Sequence, residues 1–222
     1  MLDLFISGGP VMYPLLLCSV ISLTVIIERT FFWIGVGMGR NRKLVDEVLD
    51  LCRQGDWEAV REKAAGSKNY VIRVLISGIL HREYSMTKAM ESAAADEISR
   101  MRRYMPVLDT MITVAPLLGI LGTVLGIIES FHMIGSVGIQ HPQAVTGGIA
   151  QALITTAAGL SIAIASVFPY NYFNSRIERA VRIIEKYATS FEIVYEKIVL
   201  GSKSSNSGMS RENRADPERT EP

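Results

Sequence analysis

Between Arg103 and Arg176 the chain carries no lysine or arginine, and its only acids are Asp109 and Glu129. Inside this stretch lie two apolar runs of roughly 22 and 24 residues, each long enough to cross a hydrocarbon core of about 30 Å. The runs are not simply greasy. In the first, Ala115, Gly119, Gly122, Thr123 and Gly126 recur at spacings of three and four, which places them on one helical face. In the second, Gly148, Ala152, Thr155, Thr156, Gly159 and Ala163 do the same. Small faces let membrane helices approach closely, where lipid supplies no hydrophobic drive between them. The threonines have two readings. A hydroxyl in a membrane helix commonly bonds back to a carbonyl one turn earlier; two matched faces with hydroxyls embedded in each also suit a shared interface or lumen.

The charge balance hides a sharp segregation. The net charge is only +1, yet the 23 basic residues fall at Arg29, from Arg40 to Arg103, and from Arg176 onward. A third apolar run, Leu15 to Ile27, ends in Glu28-Arg29 rather than at a small-residue cleavage site, and no basic segment precedes it. It is therefore read as a span and not as a cleaved signal peptide. Phe31, Phe32 and Trp33 serve as its interfacial anchor. The reading is an all-α polytopic membrane protein with three transmembrane helices, at 11–34, 106–131 and 146–172. Thirteen Lys and Arg lie between Arg40 and Arg103 and nine follow the third span, while residues 1–10 and the link 132–145 have none. The positive-inside rule then makes the N-terminal tail and that link periplasmic, and the 35–105 insert and the C-terminus cytoplasmic. Cys18 lies in an apolar run and Cys52 on the reducing side, so no disulfide is expected.

The insert reads as helical. Leu44, Val48, Leu51 and Cys52 keep one face apolar and Gly55 ends that helix. Asp56 is placed to cap DWEAVREKAA, which stops at Gly66. A further helix carries Val71, Val74, Leu75 and Ile79 to His81. The last begins near Met86, and its pattern suggests an unbroken helix of about 65 Å over 86–128, at 1.5 Å per residue, with Pro106 and Pro116 as kink sites. Beyond the third span an amphipathic helix over 173–200 carries Ile177, Val181, Ile184, Ala188, Phe191, Val194 and Ile198 on one face. That stripe needs cover from the insert or from a neighbouring copy. Residues 201–222 hold no Leu, Ile, Val or aromatic side chain and read as a disordered tail.

Chemistry-bearing motifs are scarce. GILGTVLG looks like a nucleotide loop but sits in a span and lacks a lysine. Ser161 and Ser166 have no His or Lys in either span to act as a general base. His132 and His141 flank the external link and are read as solvated loop residues. No enzyme activity, cofactor, metal or nucleic-acid partner is expected. The polar groups left at membrane depth are Gln151, Thr155, Thr156 and Thr123, as candidate pore-lining residues, with Asp109 and Glu129 as acids reaching the interfaces. Gly119, Gly122, Gly126, Gly148, Ala152 and Gly159 are the candidate packing residues.

Three segments, GGPVMYPLLLCSVISLTVIIER, APLLGILGTVLGIIESF and GGIAQALITTAAGLSIAIASVFPYNYF, resemble the three crossings of the ExbB/TolQ/MotA family of proton-channel subunits. Order, topology and insert position match over about residues 7 to 200, and three crossings are more similar to the ExbB/TolQ branch. The resemblance implies a homopentamer in the inner membrane, with the second and third helices lining a pore. An ExbD/TolR-like single-span partner would sit in that pore, and proton flow would energise a TonB/TolA-like protein. It also places Thr123 and Thr156 on the family's pore threonines. Gln151 departs from the family's Glu and leaves the proton-carrying carboxylate to the partner. A structural membrane scaffold, or a motility-type stator, is the competing class.

The charge segregation makes a direct prediction. A cysteine reporter at Ile139 labels from outside the cell with a membrane-impermeant maleimide, and one at Arg61 does not. Reversed labelling overturns the orientation.

Overall fold

The computed structural model describes residues 7–38, 42–64, 66–67, 69–82, 84–137 and 142–212. In chain order these form α1 (Met12–Met38), α2 (Arg42–Gln54), α3 (Trp57–Ala64), α4 (Tyr70–Leu80), α5 (Met86–Arg102), α6 (Met105–Val137) and α7 (Pro142–Glu212), with no strand among the described residues. Three stretches are long and apolar enough to cross a membrane: Met12–Gly37, Met86–Met133 and Thr146–Lys197. The chain divides into two compact units, one of residues 1–34 and 102–177, the other of 35–101 and 178–222.

In the first unit Val11, just ahead of α1, and Leu15, Cys18, Ser22, Val25, Arg29 and Trp33 of α1 are buried. These alternate at three and four residues, so a single seam of the helix meets its neighbours. Val11, Leu15 and Cys18 close over Ala115 together with Met111, Val114, Leu118, Ala158 and Ile162. The opposite face presents Leu17, Val20, Leu23 and Phe31 outward, as a lipid-facing surface does. Arg29 is only 2% exposed. Its Nη2 donates to Glu28 Oε1 at 2.6 Å, and its guanidinium lies 4.5 Å from the Phe32 ring and 5.6 Å from that of Tyr104. A neighbouring carboxylate and two rings compensate the charge that burial removes from water.

The unbroken 86–128 helix does not form. α5 ends at Arg102 and α6 begins at Met105, with Tyr104 between them at φ 64. The reason lies in Pro106. In a continuous helix its ring would press on the Arg102 carbonyl and its missing N–H would cost a bond. As the second residue of a new helix it loses nothing, because that N–H has no helical partner anyway. Pro116 does lie inside α6, and Pro169 inside α7.

In the second unit the caps fall where the spacing places them. Gly55 and Gly66 adopt φ values of 76 and 73, and Asp56 Oδ1 accepts from the Ala59 N–H at 3.1 Å. Asn69 Oδ1 accepts from the Val71 N–H at 2.9 Å and caps α4. The core joins Val45, Val48 and Cys52 of α2, Val60 of α3, Ile72, Val74 and Leu75 of α4, Met90 of α5, and Ile184 and Phe191 of α7. The insert therefore covers the amphipathic stripe of α7. Tyr195 confirms the contact: its hydroxyl donates to the Arg82 carbonyl at 3.2 Å and its ring meets Trp57 edge-on at 6.3 Å. Glu97, mostly buried, bridges Arg73 and Arg100. One further difference concerns the tail: the backbone stays helical through Glu212, past the Gly201 at which disorder is expected. Extending an existing helix avoids the nucleation cost, so a polar sequence that would not start a helix continues one. Residues 213–222 lie outside the described residues.

Burial pushes the Cys52 thiol up to about 12, from an ordinary value of 9.0. A folded pKa above the unfolded one favours the protonated, folded state. That contribution is full below about pH 9 and is lost as pH rises toward 12. In a Cys18→Ala background, iodoacetamide at pH 8 should leave Cys52 unmodified until denaturant is added. Between pH 9 and 12 that protein should lose more stability than its Cys52→Ala counterpart. Prompt labelling of the folded protein is the contrary result.

Candidate functional site

The small residues of α6 and α7 meet. A methyl group added at Gly119 would stand 3.0 Å from the Thr156 Cα, and one at Gly126 would stand 2.8 Å from the Gly148 carbonyl oxygen and 3.0 Å from the Ala152 Cβ. At Gly122 it would run into the Thr155 side chain, at Gly148 into the Ser130 hydroxyl, and at Gly159 into the Ala115 backbone. Partners on α7 recede toward its start as α6 advances, so the two helices run antiparallel. All six candidate packing residues lie in this contact, and Ala115 and Ala152 are buried there. Filling any of these positions costs about 1–3 kcal/mol of strain by the usual measure of overpacking.

The hydroxyls divide into three kinds. Thr156 Oγ1 donates across the helix pair to the Gly119 carbonyl at 2.9 Å. Thr123 Oγ1 donates to the Ile120 carbonyl of its own helix at 2.6 Å. Thr155 Oγ1 donates to the Ala152 carbonyl at 2.8 Å and is 0% exposed. Thr155 was expected to line a lumen; here it is sealed beneath Gly122, because it points into the α6 contact while its neighbour Thr156 points to one side. Thr123 and Thr156 remain partly exposed.

Gln151 is half-buried, and its amide occupies the space that a side chain at Gly9 would fill. Gly9 takes a φ of 69 in the turn before α1, so only a glycine admits that approach. Gln151 thus abuts the turn before α1 of the same chain. Its amide donates and accepts hydrogen bonds but holds no titratable proton. Asp109 and Glu129 are both exposed, toward opposite ends of α6, and the Asp109 carbonyl accepts from Thr113 Oγ1 at 3.2 Å. His132 is exposed, while the placement of His141 lies outside the described residues. No cluster of metal-ligating side chains occurs among the described residues.

Sequence reasoning missed Ser130. It is 4% exposed, donates to the Gly126 carbonyl at 2.9 Å and meets Gly148. Its spacing of four from Gly126 and eight from Gly122 was the available signal. What the arrangement provides is a dry, close helix pair with one hydroxyl bonding across it and another beside it. Such an arrangement can serve as a conduit wall or as a rigid scaffold.

Comparison with known proteins agrees. Residues 67–186 match the model of the MotA/TolQ/ExbB proton channel family. A putative biopolymer transport protein, ExbB-like 3, from Synechocystis is 35% identical over 196 residues, covering 86% of this chain and 93% of the relative. A second Synechocystis protein, ExbB-like 1, is 35% identical over 206 residues, 89% of this chain and 80% of the relative. The Tol-Pal system protein TolQ of Pseudomonas aeruginosa is 34% identical over 114 residues, about half of each chain. With three stretches able to span a bilayer, the chain is a multi-pass membrane protein and belongs to the MotA/TolQ/ExbB proton channel family.

Proposed function

We propose that this protein is an inner-membrane subunit of a proton-driven motor of the ExbB/TolQ kind. It assembles as a closed ring, a pentamer by family resemblance. Its α6 and α7 surround the membrane helix of a single-span ExbD/TolR-like partner, and proton flow through that assembly energises a TonB/TolA-like protein for biopolymer transport or envelope maintenance. The N-terminus faces the periplasm and the C-terminus the cytoplasm, as the distribution of basic residues supports. Within this reading Gln151 leaves the proton-bearing carboxylate to the partner. The observation that carries the reading is the Thr156–Gly119 bond within the close contact of α6 and α7, in a chain of this family. The same bond would brace a passive scaffold, so the decisive test separates proton flux from assembly.

The exposed apolar faces of α1, α6 and α7 are broad enough to take neighbours. Native mass spectrometry in mild detergent should show a closed oligomer, and a monomer in several detergents would count against it. Replacing Thr156 by Val keeps its shape and removes one interhelical hydrogen bond, worth about 0.6 kcal/mol on average in membrane proteins. Assembly should survive that loss. A proton path stripped of a hydroxyl in low dielectric slows tenfold for each 1.36 kcal/mol added to its barrier. Thr156→Val should therefore abolish proton flux in vesicles while the partner still co-purifies. Thr123→Val should be milder, and Thr155→Val, altering a sealed local bond, close to neutral. Normal flux in Thr156→Val with normal assembly would return that hydroxyl to a bracing role.

A further inference from the structure

At the α1 end that carries Trp33, the first unit holds a cationic group without a counter-charge among the described residues. The Arg176 guanidinium lies 5.6 Å from the ring of Trp33 on α1 and 5.6 Å from the ring of Tyr172, one turn earlier on its own helix. Two aromatic rings flank it, and a cation held against ring faces keeps its N–H groups for another acceptor. No carboxylate pairs with it among the described residues, and its Nε is buried without an acceptor. Trp33 is 6% exposed and its indole N–H is likewise buried and unpartnered. A buried donor without an acceptor is costly, so two of them, one on the guanidinium and one on the indole beside it, mark a place suited to a further partner.

We infer that Arg176 and Trp33 form a headgroup site for an anionic phospholipid. The inference rests on the three-span topology proposed above, which puts Trp33 and the position just past Tyr172 at the bilayer interface. A phosphodiester supplies what both residues lack: oxygen acceptors and a negative charge, in a geometry that a guanidinium matches with two bonds. Acyl chains are then continuous with the outward apolar face of Leu23, Ile27 and Phe31 on α1. Free phosphate shares the oxygen chemistry but lacks the chains, and that difference separates the two sources. Arg102, also exposed in this unit but stacked on no ring, provides the control for diffuse attraction to an anionic surface.

The chain has two tryptophans, so a Trp57→Phe variant leaves Trp33 as the reporter. In phosphatidylcholine vesicles, quenching of its emission is compared for brominated phosphatidylglycerol and brominated phosphatidylcholine. Phosphatidylglycerol should be preferred about fivefold, the scale set by one cation near an anionic surface. Arg176→Gln should abolish the preference, Arg176→Lys should keep part of it, and Arg102→Gln should keep it all. Equal quenching by the two lipids in the Trp57→Phe protein overturns the site, whatever the variants do. Equal losses in Arg176→Gln and Arg102→Gln reduce it to diffuse attraction and overturn it too. Displacement of the lipid by inorganic phosphate would make the occupant a soluble anion and overturn the lipid assignment. Both leaflets carry the same lipid, so the result is independent of orientation, which the cysteine labelling reads separately.

Discussion

Everything in the membrane unit depends on how closely two backbones approach. Between helices in lipid there is no water to expel, so burial of apolar surface does not drive association. What remains is contact between atoms at van der Waals distance, many weak terms that accumulate only if the helices come close. Gly119, Gly122 and Gly126 on α6, with Gly148, Ala152 and Gly159 on α7, remove the side chains that would hold them apart. The Thr156–Gly119 bond is possible only because of that approach: a short side chain reaches a carbonyl on the other helix directly. α1 then needs only a three-and-four seam to lie over the pair, which it has from Val11 to Trp33.

The glycine stripes were legible in the sequence because spacing alone assigns a helical face, and so were the caps at Gly55, Asp56 and Gly66, where local chemistry decides the backbone. The roles of the individual hydroxyls were not legible. Thr155 and Thr156 are adjacent, so their side chains point about 100° apart on a helix of 3.6 residues per turn. Which of them meets the facing helix depends on the rotation of α7 about its own axis, a property of the packed pair. The contact that Gln151 makes was not legible for a related reason. Its neighbour is the Gly9 turn, more than a hundred residues away in sequence, and no periodicity reports a contact of that separation. The break at Tyr104 was within reach, because Pro106 disfavours a helix passing through it; reading that proline as a kink underestimated the cost of the Arg102 carbonyl clash.

Charge at the ends of the spans follows a second rule. Arg29 and Arg176 both use aromatic rings, but Arg29 also has Glu28, whereas Arg176 has no carboxylate among the described residues. In a water-soluble core an arginine without a counter-charge would be expensive. At a bilayer interface the headgroups themselves can complete the pairing, so the protein is free to leave one cation open and close another. The distinction separates a residue that fastens α1 internally from one that fastens the bundle to its surroundings.

The close approach that holds α6 to α7 also restricts how the unit can move. A slide of α6 by one turn along α7 would bring Ala115, or Thr123, to the level where Gly119 now faces Thr156. Either residue carries a Cβ, and that atom would stand 3.0 Å from the Thr156 Cα, close enough that the facing helix must give way. The same slide would bring Ser130 or Gly122 to the level of Gly126, and the first of these again meets backbone. Packed interfaces of this kind hold discrete arrangements rather than deforming continuously. The close contact therefore resists sliding of one helix along the other, and with it the breaking of the Thr156–Gly119 bond. Rearrangement meets less resistance at the looser contacts, those of the α1 seam or of the outward apolar faces, where side chains of Leu, Ile and Phe can repack without forcing backbone against backbone.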